Sequence, residues 1–592
     1  MKKLIFTLTA LSLASFSFAQ DFGFGDSVGS EGGFEEETTP SVVWSGEVGA
    51  SGRAWIDTYD GYKKVNDVST DTVLDANAYA KLDVNYAGDY TDANIKFKID
   101  PSTIKEHPED VIDELYANGS FKEGRFQLKA GKMKEVWGKG DKVHVLDNFN
   151  ANDYTDFIFP DYIDRRIGEV MFKATANISW DYNIKLEGIF TPWMTADRFA
   201  SSGYLYPAAQ ANLTETVSGI VKHNAAIDLG TALSLDDTSK TDLPSIVDGL
   251  QSMSSFSADQ LYEDNLKSLK YGQAGLRLTG SGAGIDWGVS YYYGHYKQPS
   301  ANLGAYIDSV SNAVKTYAAS SAGQTAISTA YYQEISDFAT YMGTNVYGVA
   351  AAAGATTYVS PVTGDTVDLT DPTAIQAAAQ KDGYMKAVSD HAQEIAYMSD
   401  QKLALPSLNY DQLQVFGLEA AFVLWKFNTR WEVAYNLTED IAGDDPWVKN
   451  NSIAWVAGFD MDLPIHNLNI NVQNQGSFIL KKDKIEDGAY ATYDVDYNSD
   501  GKYTNNKIIG LLSDKWMNEK LTAEVQGIYV VETKEYMVAP KIEFNAVEGL
   551  TLGLRGVYLY SDNENGEFYN FTAWNDKNHN AAFVELTAKY QF

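Results

Sequence analysis

Cysteine is absent from the 592-residue sequence, and histidine is scarce, with seven residues. Without cysteine the chain cannot form disulfides, bind metals through thiolates or use a thiol nucleophile. The histidines show no zinc-binding spacing, and none is followed two residues later by serine, which would place the pair on one strand face. After residue 19, no window approaches the roughly 18 consecutive apolar residues of a membrane-spanning helix. The sequence therefore predicts neither an enzyme nor a helical membrane protein.

Negative charge dominates what is present. The chain has 46 basic and 80 acidic residues, for a formal net charge of -34. Such a chain repels phosphate, so no nucleic-acid partner is predicted. Aromatic residues make up 13% of the chain, although its mean hydropathy is only -0.28. This combination is typical of a protein with an aromatic-rich outer surface and a wet interior.

The N-terminus has the pattern of an export signal. Two lysines precede an apolar run, and the small residues Ser17 and Ala19 precede a cleavage site at Gln20. We therefore predict a signal peptide over residues 1–19. Residues 20–41 are acidic and rich in glycine, which predicts a flexible leader.

From Val42 onwards, apolar and polar residues alternate in segments of similar length, as in residues 74–86 and 468–473. Period-two alternation predicts strands with one apolar and one polar face, about 18 of them (16–18). Their connections are alternately short and long, so all the long loops lie at one end. Residues 42–592 are therefore predicted to be all-β, forming a transmembrane antiparallel up-and-down β-barrel. A soluble repeat protein would need a second sheet to cover the apolar face.

Two long loops carry a different period. Ile307, Val310, Val314 and Tyr317 have the spacing of one helical face, and residues 208–268 show a similar pattern. We predict helical inserts at about 208–268 and 301–402, as a cap over the barrel mouth, a plug or a partner-binding surface.

Tryptophans are predicted to form two girdles at the ends of the barrel, where aromatic rings favour a membrane interface. Trp44, Trp180, Trp287, Trp425 and Trp516 lie beside short turns, and Trp55, Trp137, Trp193 and Trp455 lie at the long-loop ends.

The polar face of the strands would line a water-filled lumen. The predicted pore-lining residues are Arg53, Lys81, Asp83, Lys96, Lys98, Lys185, Glu187, Arg277, Arg430, Glu432, Lys541, Glu543 and Arg555. Both signs of charge occur, which favours a polar pore for small hydrophilic solutes. The alternative is that these residues pair across strands without individual importance, since inward charges select solutes only at a constriction.

The loop from Trp137 to Arg166 is the candidate constriction. Its charged candidates are Asp141, Asp147, Asp153, Asp156, Asp161, Asp164, Arg165 and Arg166. Inside the lumen, the carboxylates would face basic wall residues and create a transverse field. Outside the lumen, the segment would be an acidic surface loop.

The segment from Asp494 to Thr504 resembles the first half of a calcium loop. Asp496, Asn498 and Asp500 supply alternate oxygens, and Gly501 permits the tight bend. Lys507 occupies the position of the later bidentate glutamate, so a simple N-S-D-G turn is the alternative. Calcium is the one cofactor considered.

The chain ends in A-F-V-E-L-T-A-K-Y-Q-F, with apolar residues at alternate positions before Phe592. With the export signal and the alternating strands, this ending resembles the outer-membrane β-barrel proteins of diderm bacteria. In that family a C-terminal phenylalanine is the assembly signal, which implies this role for Tyr590 and Phe592. The resemblance also implies outer-membrane lipid and the barrel-assembly machinery as partners. The stretch G-K-M-K-E-V-W-G-K-G-D (131–141), followed by arginines at 165 and 166, is similar to porin-type and spirochaetal sequences.

These observations predict a porin-like outer-membrane channel for the passive diffusion of small hydrophilic solutes, with external loops that cap or gate the pore. The alternative is a surface adhesin or structural barrel with a blocked lumen.

Overall fold

The computed structural model describes residues 41–56, 74–141, 143–201, 203–232, 261–262, 265–572 and 580–592. The predicted signal peptide, residues 20–40 of the leader and much of the 208–268 insert lie outside these residues. Within them, no helix is both long and apolar enough to cross a membrane. The chain divides into two compact units. The barrel unit comprises the described parts of Thr9–Ala211, Asp264–Ser300 and Asn409–Phe592, and the insert unit those of Asn212–Glu263 and Ala301–Leu408.

The barrel unit is built on one sheet, which has 18 antiparallel strands in the described residues. They are β1 (Ser41–Trp55), β2 (Leu74–Ala87), β3 (Thr91–Ile99), β4 (Ile112–Phe121), β5 (Phe126–Met133), β6 (Glu169–Ser179), β7 (Ile184–Thr191), β8 (Gln273–Gly282), β9 (Ile285–His295), β10 (Gln412–Leu424), β11 (Phe427–Thr438), β12 (Ser452–Asp462), β13 (Asn469–Ile479), β14 (Thr504–Trp516), β15 (Leu521–Val530), β16 (Tyr536–Val547), β17 (Leu550–Tyr560) and β18 (Asn580–Gln591).

Each of these strands pairs with its neighbours in sequence, and β1 also pairs with β18, so the sheet closes on itself. The register places Arg53 of β1 opposite Asp75 of β2 and Glu585 of β18. At the closure, the backbone of Gly46 exchanges two hydrogen bonds with Phe592, at 2.9 and 3.0 Å. The prediction of an antiparallel up-and-down barrel of about 18 strands (16–18) with helical inserts is confirmed.

The two faces of the barrel wall differ in polarity. Outward-facing leucines such as Leu276, Leu418 and Leu586 are 58%, 58% and 63% exposed. Inward-facing Arg53 and Glu432 are buried. Closure of the sheet leaves no strand edge unpaired, and the outer face is apolar. A hydrocarbon environment requires both properties.

The tryptophan girdle is present at the short-turn end and incomplete at the other. Near the short turns, Trp44, Trp180, Trp425 and Trp516 are exposed and Trp287 is half-buried. At the other end, Trp193 and Trp455 are half-buried, and Trp55 and Trp137 are buried. Side chains alternate between the two faces of β1, and Trp55 falls on the inward face together with Arg53. Its Nε1 donates to the Asp75 carboxylate at 2.7 Å. The placement of Trp55 and Trp137 in a girdle was therefore wrong.

Shorter elements complete the barrel unit. They are the helices Pro101–Lys105, Tyr162–Arg165, Lys482–Glu486 and Tyr569–Thr572, the 3-10 turns Pro108–Asp110, Leu269–Tyr271 and Ala491–Tyr493, and the paired strands Asp153–Tyr154 and Arg198–Phe199.

The insert unit is mainly helical. Its elements are the helices Ala208–Ala232 (which begins in the barrel unit), Gly304–Ala319, Ser321–Ala330, Tyr332–Tyr341, Gly348–Ala352, Pro372–Asp390 and Ala392–Met398, the π-helix Met342–Tyr347 and the hairpin strands Thr357–Val359 and Thr366–Asp368; the short strands Ser300–Asn302 and Ser407–Asn409 stand at its ends. The predicted helical face includes Val310 and Val314, which are both buried. Within this unit, the buried carboxylate of Asp382 accepts hydrogen bonds from the hydroxyls of Ser360 and Tyr347.

Candidate pore constriction

The connection between β5 and β6, described at residues 134–141 and 143–168, folds back inside the barrel; we call it the inner loop. Asn150 fastens its base, because its Nδ2 donates to the carbonyls of Met133 (3.1 Å) and Ile167 (2.8 Å) and its Oδ1 accepts from the amide of Glu135 (2.9 Å). These three bonds hold the two ends of the loop together, so the loop enters and leaves the lumen at one place on the wall.

The inner loop bridges opposite walls. On one side, the Lys81 ammonium of β2 binds both carboxylate oxygens of Asp164, at 2.8 and 2.9 Å. On the other side, the loop contacts Glu432 of β11. Strands β2 and β11 are nine positions apart in a ring of 18 (11 − 2 = 9), so they face each other across the lumen. Although burial opposes it, Lys81 holds the pKa of Asp164 below its ordinary value.

Glu432 is the anchor on the β11 wall, and it is fully buried. One carboxylate oxygen accepts the amide of Gly140 (2.6 Å) and lies 2.9 Å from His144 Nδ1. The other accepts the amides of Val145 (2.7 Å) and Leu146 (3.3 Å). Hydrogen bonds to an ionised group are stronger than neutral ones, so this cluster fixes the loop backbone tightly.

A second anchor joins the loop to the closure of the barrel. The Arg53 guanidinium donates to both oxygens of Asp156, at 2.6 and 3.0 Å, and to Glu585 at 3.0 Å. Arg555 of β17 also pairs with Glu585 and donates to the carbonyl of Phe159 at 2.8 Å. Two arginines therefore share one wall carboxylate and hold the loop at both a side chain and the backbone.

Aromatic side chains fill the space between these anchors. Phe157 packs 4.3 Å from Phe571, and Phe149 packs 5.0 Å from Trp137, measured between ring centroids. All four of these side chains are at most 1% exposed. The inner loop is thus a packed layer within the lumen, held by charged contacts at its edges.

The charged residues predicted for the constriction have different surroundings. Asp156 and Asp164 bind basic wall residues, and Asp141 lies 3.7 Å from Arg430 and also accepts from Asn471. Asp153 caps the amide of Thr155, and Asp161 precedes the short helix Tyr162–Arg165.

Three candidates are internal to the loop and do not reach open lumen. Asp147 pairs with Arg166, and both side chains are at most 3% exposed. Arg166 also donates to the carbonyl of Asn150 at 2.7 Å, and buried Arg165 donates to the carbonyl of Pro160 at 3.1 Å. The two arginines donate to loop carbonyls and Asp147 pairs with Arg166, so these charged groups maintain the loop conformation.

Most of the predicted pore-lining residues are paired along the wall. Lys96 binds Glu114 (2.7 Å), Lys98 approaches Asp100 (3.5 Å), Arg277 binds Glu419 (2.6 Å) and approaches Glu187 (3.5 Å), Arg430 binds Asp460 (2.7 Å), Lys541 binds Glu543 (3.0 Å) and Asp83 accepts from Asn94 (2.6 Å). Lys185 is partly buried. Glu114 and Glu419 were missed, although their alternation with apolar neighbours places them on the inward face.

The residues of the predicted calcium loop line one cavity of about 140 Å³. Asp496 accepts the amide of Asn450 (2.6 Å), Asn498 accepts that of Asp500 (2.9 Å), and Asp500 accepts Nδ2 of Asn563 (2.9 Å). Protein donors thus already use one oxygen of each. In the described part of the chain, no three histidine or carboxylate side chains are grouped as metal ligands. Calcium binding stays a prediction.

No protein-family model and no curated protein sequence matches this chain. Among solved structures, it is similar to Acinetobacter baumannii OccAB4, at 8% identity and a TM-score of 0.39, over 94% of this chain and 99% of that chain. A BenF-like porin from Pseudomonas fluorescens Pf-5 is 7% identical, with a TM-score of 0.39, over 93% and 98% of the chains. The outer membrane protein opdK from Pseudomonas aeruginosa gives the same values. Matches this distant carry no argument about transport, and they give no support to a spirochaetal type.

Proposed function

We propose that this protein is an outer-membrane channel through which small hydrophilic solutes diffuse passively, and that the inner loop is its constriction. The observation that carries the proposal is the loop that joins β2 to β11 across the lumen of a closed barrel with an exposed apolar outer face. A barrel of this size encloses water unless something fills it, so a loop across the middle sets the size of the solute that passes.

The proposed surroundings are outer-membrane lipid on the apolar face and the barrel-assembly machinery during insertion. The exposed leucines and the aromatic rings at the short-turn end support the lipid partner. The half-exposed ring of Phe592, 5.9 Å from that of Trp44, supports a terminal recognition signal at the same end.

Single-channel recording in planar bilayers tests the proposal. Purified full-length protein, folded as judged by circular dichroism and gel mobility, should give discrete conductance steps. Folded protein that gives no steps would contradict the channel.

The second candidate is a structural or surface barrel with a blocked lumen. The fully buried aromatic layer of the inner loop favours this candidate, because the side chains of Phe149 and Phe157 exclude water from the space that they fill. Silent but stably inserted barrels would support this candidate.

We further propose that the helical insert restricts the mouth of the channel. Deleting residues 301–402 should then raise the conductance. An unchanged conductance would show that the insert does not restrict ion flow.

A further inference from the structure

A second feature of the lumen lies beside the inner loop, where a cavity of about 160 Å³ is bounded by the loop and by residues of β10, β11 and β12. Its lining includes Tyr162, Tyr296, Arg166, Lys297 and Lys449. A cavity of roughly 150 Å³ is large enough to hold one benzene molecule. The aromatic faces offer apolar contact, and the basic groups offer charge, so the space suits a small molecule that has both an apolar part and a negative charge.

Lys449 is the unusual member of this lining. It is 3% exposed, and in the described residues its Nζ has no hydrogen-bond partner. The Nζ lies over the ring of Tyr296, 4.6 Å from the ring centroid. Asp411, Asp496 and Asp197 act on its ammonium only through space, and burial lowers the pKa of Lys449 itself. A buried ammonium without a partner is costly, and an incoming anion removes that cost.

The hydrogen-bonding groups around Lys449 are also unbalanced towards donors. Over the described residues of this lining, three donors are buried without an acceptor, namely Asn148 Nδ2, Arg166 Nε and the Lys449 ammonium. Asp147 Oδ1 is buried without a donor, and His295 Nδ1, which can donate or accept, is buried without a partner. Lys297, the other lysine of the lining, already donates to Gln273 Oε1 at 2.6 Å. The cavity therefore lacks an acceptor with about one negative charge.

We propose that this cavity is a binding site for a small monocarboxylate, with the Lys449 ammonium as the charge partner and the Asn148 amide as a second donor. One free ammonium balances one negative charge, which disfavours a dianionic phosphate beside Asp147 and Asp197. The carbon part of the ligand lies against the tyrosine rings, within a volume of about one benzene molecule. The proposal rests on the proposed channel, because a solute reaches this cavity only through the lumen.

A neighbouring cavity of about 140 Å³ shares Tyr296, Asn436, Lys449 and Ala454 with the first. The two cavities thus adjoin at Lys449, whose Nζ is itself buried. The neighbouring cavity is lined by more carboxylates than basic groups, so the carboxylate site is assigned to the first cavity.

The test is binding of butyrate to the full-length protein in detergent, measured by saturation-transfer NMR. Butyramide is the uncharged control of the same size, and inorganic phosphate is the competing anion. Wild-type protein should bind butyrate, with butyramide and phosphate at least about tenfold weaker. Butyramide or phosphate that binds as well as butyrate would overturn the assignment, as would the absence of butyrate binding.

Variants identify the group responsible. Lys449→Met should weaken butyrate binding at least about tenfold, because it removes one partner of a buried charge pair. Lys449→Arg keeps the positive charge and should retain butyrate binding. Lys502→Met is the matched control, and it should bind butyrate like wild type. It also removes one positive charge, from the lining of the neighbouring cavity, but Lys502 is 44% exposed and already donates to the carbonyl of Glu532. Equal binding by wild type and Lys449→Met would overturn the proposal. Binding in detergent does not depend on conduction, so the two assays test the two proposals separately. A protein that conducts but does not bind butyrate would refute the binding site alone. A folded barrel that binds butyrate but does not conduct would refute the channel alone.

Discussion

Replacing Glu432 by glutamine should release the inner loop from the β11 wall. The glutamate side chain accepts four hydrogen bonds from the loop, three of them from backbone amides, and it is fully buried. Glutamine is nearly the same size, so the wall itself is not altered. Its single oxygen can accept about two of these bonds, and its amide group presents hydrogens to the remaining donors.

The expected cost follows from the bonds that are lost. Two hydrogen bonds to a charged acceptor are worth about 1.5–3 kcal/mol each, which gives about 3–6 kcal/mol for the substitution. Since about 1.4 kcal/mol changes an equilibrium tenfold, the population with the loop detached from β11 should rise at least about a hundredfold. The contact between Arg53 and Asp156 remains, so the loop should stay in the lumen and move away from one wall.

Single-channel conductance reports this movement. Glu432→Gln should give larger and noisier steps than wild type, because the gap at β11 widens and fluctuates. Glu419→Gln is the matched control: this buried carboxylate lies opposite Glu432 on the adjacent strand, but it binds Arg277 of the wall. If Glu432→Gln conducts like wild type, or if Glu419→Gln has the same effect, the inner loop is not the constriction.

Three further predictions concern other parts of the molecule. Phe592→Asp should impair barrel assembly while export continues, as measured by heat-modifiable gel mobility of membrane fractions; normal assembly would contradict the terminal signal. Burial raises the pKa of Glu535 from 4.5 to about 7, so ionising this carboxylate costs free energy in the folded protein. The amides of Glu567 and Phe568 donate to it, so the stability of the segment 561–568 should fall by at most about 3 kcal/mol as pH rises from 4.5 through 7. Hydrogen exchange of this segment should show the fall in wild type and none in Glu535→Gln. Burial also raises the pKa of Asp496 to about 6, so calcium affinity of the loop 494–504 should increase from pH 5 to pH 7; calorimetry without binding at pH 8 would refute the calcium site.

The barrel was predictable because its information is local. Alternation with period two places Leu276 and Leu418 outside and Arg277 and Glu419 inside, and the same rule applies along every strand. Short and long connections then order the strands without any knowledge of distant contacts. Trp55 obeys the same rule, because alternation places it inside, although its position at the long-loop end of β1 predicted a girdle residue.

The position of the inner loop was not predictable, because it depends on pairs far apart in sequence. Arg53 meets Asp156 across 103 residues, and Val145 meets Glu432 across 287. Periodicity says that Glu432 faces inward, but nothing local says that four loop donors converge on it. The clustering of aspartates suggested a charged constriction, yet Asp147 and Arg166 pair within the loop, where burial and loop carbonyls decide their role.

Pairing also decides how the charge of the chain acts on a solute. The formal charge of -34 describes the whole sequence, whereas inward carboxylates such as Glu419, Glu114 and Asp156 are neutralised by basic partners within about 3 Å. Exposed charges are screened over about 8 Å at physiological salt, so they influence the approach of a solute more than its residence in the lumen. Selectivity inside the lumen therefore depends on the charges that lack partners. An acidic protein can therefore hold an anion at Lys449, because this ammonium is buried and has no hydrogen-bond acceptor in the described residues.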